Sequence, residues 1–97
     1  MSDEFALQKK ISDAAKAETY LRDEFLQERQ EARIAEIFAG WQATNPRDVE
    51  MRESLFRQYH EVKKRWDDLI RIAADGRVAQ AELDMLEAQR KANLRVV

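Results

Sequence analysis

With 97 residues the chain has the length of one domain, and 44% hydrophobic and 37% charged residues against only two glycines and one proline leave too few turn formers for strands, which excludes an all-β fold and favours long helices. The 17 basic and 19 acidic side chains are mixed along the chain and sum to a formal charge of −2, which argues against a dedicated nucleic-acid arm. Cysteine is absent, so disulfides, thiolate catalysis and cysteine-ligated metals are excluded.

The start of the chain, with Asp3 and Glu4 close to Met1, does not read as a signal peptide. No stretch approaches the roughly 20 apolar residues of a membrane span. The expectation is a cytoplasmic protein, without a membrane partner. Fourteen of the residues are alanine, which favours helix while burying little area, so the core is expected to be thin.

Ser2, Asp3 and Glu4 suit a helix start, a hydroxyl to cap free amides followed by carboxylates favoured by the helix dipole. From there a heptad seam runs through Leu7, Ile11, Ala14, Glu18, Leu21, Phe25, Glu28, Ala32, Ala35 and Ala39, and Ile34, Ile37, Phe38 and Trp41 widen the apolar face near its end. This predicts one helix over about 3–43, with Thr19 as the place where a new helix would start if the first were interrupted. Glu18 and Glu28 on the seam read as register markers that need a basic partner across the interface.

Pro46 pushes Asn45 out of the α region and sets a turn at 44–46. Asn45 as N-cap, Pro46 in the first helical position and Asp48 in the third then open a second helix over about 46–75. Its seam is Leu55, Tyr59, Val62, Trp66, Leu69 and Ala73, and Glu53–Arg57, Glu61–Arg65 and Asp67–Arg71 are acid-to-base pairs on the solvated side. Asp75-Gly76 reads as a helix stop, glycine being free to turn left-handed, with a turn at 76–77. A third helix over about 78–93 carries Ala79, Leu83, Leu86 and Leu94, followed by the apolar Val96 and Val97.

Two helices joined by a short connection pack antiparallel. The expected fold is therefore all-α: a single domain over 1–97 formed by a long antiparallel, coiled-coil-like hairpin, with a short C-terminal helix folding back and a tendency to oligomerise. A first helix longer than the second would leave Phe5, Leu7 and Ile11 beyond their intramolecular partner, in need of another surface. The interface is expected to use Leu7, Ile11, Leu21, Phe25, Ile34, Phe38, Trp41, Leu55, Tyr59, Val62, Trp66 and Leu69.

Candidate chemistry is sparse. His60 is the only histidine, and no nucleophile stands in a motif beside it; a helix position adjoining Tyr59 accounts for it, against a pH-sensitive contact. Glu24, Glu28 and Glu31 share helical spacing, but di-iron bundles also need Glu-x-x-His pairs, which this chain lacks. Lys63-Lys64-Arg65 is flanked by Tyr59 and Trp66 in the manner of nucleic-acid surfaces, yet it fans around the helix and Asp67-Asp68 follow at once. A sharper idea is an anion held near Trp41 by Asn45, Arg47 and free helix-start amides, though no glycine-rich loop accompanies it. No catalytic residue, metal or cofactor is expected, and the protein is expected not to be an enzyme.

The stretch Trp41-Gln42-Ala43-Thr44-Asn45-Pro46-Arg47-Asp48, followed by Arg52-Glu53-Ser54-Leu55, resembles the middle of small uncharacterised helical proteins encoded by tailed bacteriophages. Ala17-Glu18 with Leu21-Arg22-Asp23 upstream, and Ala74-Asp75-Gly76-Arg77-Val78-Ala79 downstream, extend the likeness over about residues 17–83. Val49-Glu50-Met51 departs from that pattern, which would have a short acidic residue and glycine there. The resemblance implies a phage-encoded protein of the host cytoplasm or the virion. The expected function is self-association and contact with another protein in virion structure or assembly, the alternative being an accessory factor that inhibits a host protein or sequesters a small anion.

Overall fold

A computed structural model of the chain describes residues 3–96; the proposed Ser2 cap and Val97 lie outside them. The described residues form three α-helices and no strand: α1 over Asp3–Arg22, α2 over Glu24–Gln42 and α3 over Val49–Val96. At 48 residues α3 is ~72 Å long at 1.5 Å per residue. It sets the long dimension of a molecule that measures 75 × 26 × 14 Å.

Contacts between α3 and the first two helices run in reverse chain order. Gly40 lies against Leu55, Phe38 against Tyr59, Gln30 reaches the Val62 carbonyl, Glu18 pairs with Arg77, and Glu4 pairs with Arg90. Thus α1 covers the second half of α3 and α2 the first half, each running in the opposite direction to it.

The expected helix over 3–43 is two helices. The chain departs from helix at Asp23, whose backbone is extended (φ −71°, ψ 113°) and whose carboxylate accepts a hydrogen bond from the Leu26 amide at 3.0 Å. Aspartate suits this position because its short side chain reaches an amide that the new helix leaves unpaired. Thr19 starts nothing: its hydroxyl donates to the Ala15 carbonyl within α1.

The interruption turns the inward face. Before it, Leu7, Ala14 and Ala17 are buried; after it, Leu26, Gln30, Ile34 and Ile37 face α3, whereas Phe25, Glu28, Ala35 and Ala39 of the expected heptad are exposed. One non-helical residue rotates everything downstream, so a heptad counted straight through Asp23 puts the wrong side inward.

The second junction also differs from expectation. Pro46 lies in the turn rather than in the helix, and α3 starts at Val49 with Asp48 as the capping residue, its carboxylate accepting from the Met51 amide at 3.2 Å. Asn45 instead closes the turn, its side-chain oxygen accepting from the Arg47 amide at 2.9 Å and its carbonyl from the Asp48 amide at 2.9 Å.

No turn occurs at 76–77, and α3 runs through Gly76 to Val96. Neither glycine takes a positive φ. Gly76 serves close packing: a Cβ there would overlap the Cβ of Ala14 and stand 3.3 Å from the Lys10 carbonyl oxygen. With Ala73 and Ala79 on the same face of α3, and Ala14 and Ala17 opposite, small residues let α1 and α3 approach backbone to backbone. Glu18 finds its basic partner here in Arg77, 3.7 Å away.

Because α3 continues, the start of α1 does not overhang. Leu7 is buried and Ile11 half-buried against the part of α3 that was expected to be a separate helix, and only Phe5 stays outside. Leu83 and Leu86 are half-buried on that part, while Leu94 is exposed. On the outer side of α3, Arg71 pairs with Asp68 at 3.0 Å rather than with Asp67.

Candidate interaction surface

The packing between α2 and α3 is built differently from that between α1 and α3. Large side chains replace alanines: Ile37 is buried, Ile34, Leu55 and Tyr59 are half-buried, and the Phe38 ring meets the Tyr59 ring edge-on with centroids 5.5 Å apart. Bulky residues hold the backbones apart, and this splaying leaves an open groove of about 250 Å³ lined by Ile37, Phe38, Trp41, Leu55, Phe56 and Tyr59. All six are apolar or aromatic, and three of them remain substantially in solvent: Phe38 at 53%, Trp41 at 41% and Phe56 at 63% exposure.

The groove is ordered by its neighbours. Gly40, on the α2 side, stands 3.6 Å from Leu55 as measured at the position a Cβ would take, so the lack of a side chain sets no severe limit there. The Arg52 guanidinium lies 4.4 Å from the Trp41 ring centroid and donates to the Thr44 hydroxyl at 3.2 Å, which fixes the indole at the rim. His60 stacks edge-on against Phe56, with centroids 4.4 Å apart, and against Tyr59 at 5.6 Å. It belongs to an aromatic row, and among the described residues no serine or threonine is hydrogen-bonded to it.

The residues singled out by sequence divide into two groups. Leu7, Ile11, Leu21, Ile34, Leu55, Tyr59, Val62, Trp66 and Leu69 are buried or half-buried in contacts within the chain, whereas Phe25, Phe38 and Trp41 face outward. Asn45 and Arg47 do not line the groove that holds Trp41. The Arg47 amide is occupied by Asn45, and the Asp48 carboxylate stands at the start of α3 where an anion would have to sit.

Among the described residues no three histidine, aspartate or glutamate side chains gather to hold a metal ion, Glu24, Glu28 and Glu31 included. Lys63, Lys64 and Arg65 are all exposed while Trp66 and Tyr59 turn inward, so the flanking aromatics are not presented beside the bases as a stacking platform. No helix among the described residues is long and apolar enough to cross a membrane.

Sequence reasoning missed Phe56, and with it the outward face of α3, where Val49, Ile70, Val78 and Met85 are each half or more exposed. The signal was present as a second apolar spacing, 49, 56 and 70, then 78 and 85, obscured by the stronger seam on the other side of the same helix. Comparison of the chain with protein families, with characterised proteins and with solved structures returns no match.

Proposed function

We propose that the protein is a non-enzymatic interaction module: a long antiparallel, coiled-coil-like hairpin that associates with further copies of itself. The observation that carries this reading is the aromatic groove between α2 and α3, where Phe38, Trp41 and Phe56 stand in solvent on a chain whose own core is too thin to cover them. Large apolar patches on a small protein mark contact sites, and aromatic side chains supply most of the energy at such sites. The resemblance of Trp41–Asp48 and its flanks to small tailed-phage proteins supports particle construction as the setting, within the host cytoplasm or the virion.

The reading is tested by light scattering across micromolar concentrations on the full chain and on Phe38→Glu. The expected result is a particle heavier than the 11.4 kDa chain, weakened by the substitution. A particle of single-chain mass at every concentration overturns it.

A further inference from the structure

We propose that the outward face of α3, continuous with the groove at Phe56, is the surface on which a second copy of this chain docks, with the two α3 helices antiparallel; this rests on the self-association reading, extends its surface from the groove along α3, and assigns it an orientation. The face lies opposite the seam that covers Ala73, Gly76 and Ala79. It carries Val49, Phe56, Ile70, Val78 and Met85, exposed by 57%, 63%, 50%, 67% and 56%.

From Ala74 onward the face keeps heptad spacing without a polar interruption. Ala74, Ala81 and Ala88 occupy one seam position while Val78, Met85 and Ala92 occupy the other, and all six are exposed. The same device already operates inside the molecule, where alanines and Gly76 let α1 sit close against the other side of α3. Residues 49–92 extend over ~12 helical turns. A face of that length can reach the roughly 1,000 Å² that a specific interface needs even when many of its residues are small.

Charge selects the occupant. One flank of this face presents, at seven-residue intervals, Glu50 in the first turn of α3 and then Arg57, Lys64 and Arg71 up to its middle, followed by Asp75 and Glu82 at the same interval in the second half. The five charges from Arg57 to Glu82 form the row that matters here. All five side chains are exposed. A two-fold axis perpendicular to α3 lays this row against itself in reverse, so the basic half of one copy meets the acidic half of the other.

A row that is basic then acidic along one helix is complementary to its own antiparallel copy. Lys63 and Asp67 interrupt the apolar face near its middle, and polar residues at seam positions specify register and orientation at some cost in affinity. The apolar side chains supply the attraction, while the charges, exposed and screened, choose the direction.

Sedimentation equilibrium on the full chain tests this, with circular dichroism to verify that each variant keeps its helix. Val78→Glu, which alters a side chain that is two-thirds exposed, is expected to weaken dimerisation at least about tenfold. Arg57→Glu, Lys64→Glu and Arg71→Glu together are expected to weaken it about tenfold, and adding Asp75→Lys with Glu82→Lys to the same chain is expected to restore it, because all five charges of the row are then inverted and still self-complementary. Association that is indifferent to Val78→Glu, or charge reversal that the compensating pair does not rescue, overturns docking on α3 while leaving self-association standing. A single-chain mass for the unaltered protein overturns both.

Discussion

Gly40 and Gly76 occupy helices, and their opposite surroundings give opposite expectations for the same substitution. At Gly40 the nearest atoms to an added Cβ are the Leu55 methyls at 3.6 and 3.8 Å, ordinary contact distances. Gly40→Ala is therefore expected to stabilise by up to ~1 kcal/mol through helix propensity alone. At Gly76 the added atom overlaps the Cβ of Ala14, which has no rotamer to move. The propensity gain is outweighed by an overpacking cost of ~1–3 kcal/mol or more, so Gly76→Ala is expected to lower the melting temperature. Ala14→Gly in the same chain recovers part of the loss. Thermal unfolding of the three variants decides, and a stabilised Gly76→Ala protein would show that the two backbones are not in close contact.

At the scale of elements, α1 and α2 are held to α3 by different means and should come away separately. Ile37 is the one buried side chain of α2, whereas α1 contributes Leu7, Ala14 and Ala17. Truncation of a buried isoleucine costs ~2–5 kcal/mol, with the lower end expected beside an open groove. Ile37→Ala is accordingly expected to deprotect the amides of residues 24–42 in hydrogen exchange while those of 3–22 keep their protection. Equal loss in both helices would mean that the two unfold as one unit.

The caps at the junctions follow similar logic. Asp23→Ala and Asp48→Ala each remove a carboxylate that satisfies a helix-start amide, and each is expected to cost ~1 kcal/mol. Asn45→Ala instead loosens the turn before α3 without uncapping the helix, and urea titration should find it the mildest of the three.

The whole molecule is a rod with very little interior. Its radius of gyration is 21.1 Å, against ~12–13 Å for a compact domain of this length. Among the described residues the buried hydrophobics are Leu7, Ala14, Ala17, Ile37, Ala73 and Ala79, four of them alanines. So little buried apolar area leaves a single chain marginal, and a partner that binds only the folded state adds stability by mass action. The melting temperature is expected to rise with protein concentration, and to lose that dependence in Val78→Glu. A melting temperature independent of concentration in the unaltered chain would mean that the rod is stable alone.

Helical class, the helix break before Pro46 and the buried or half-buried spacing of α3 from Leu55 to Ala73 were legible in the sequence, because propensity, a proline and a regular spacing act over a few residues and depend little on the rest of the fold. The aromatic groove was legible in part, through Trp41, Phe38, Leu55 and Tyr59. Three decisions belonged to tertiary structure. Asp23 can continue a helix or cap one, and the choice follows from which face of α2 must meet α3. Gly76 can stop a helix or admit a neighbour, and the presence of Ala14 across the interface selects the second. Phe56 and Val78 read as ordinary members of an apolar helix until the opposite seam is seen to be filled from within the chain. In each case the local energies of the alternatives lie close together, so a contact with a residue distant in sequence tips the balance.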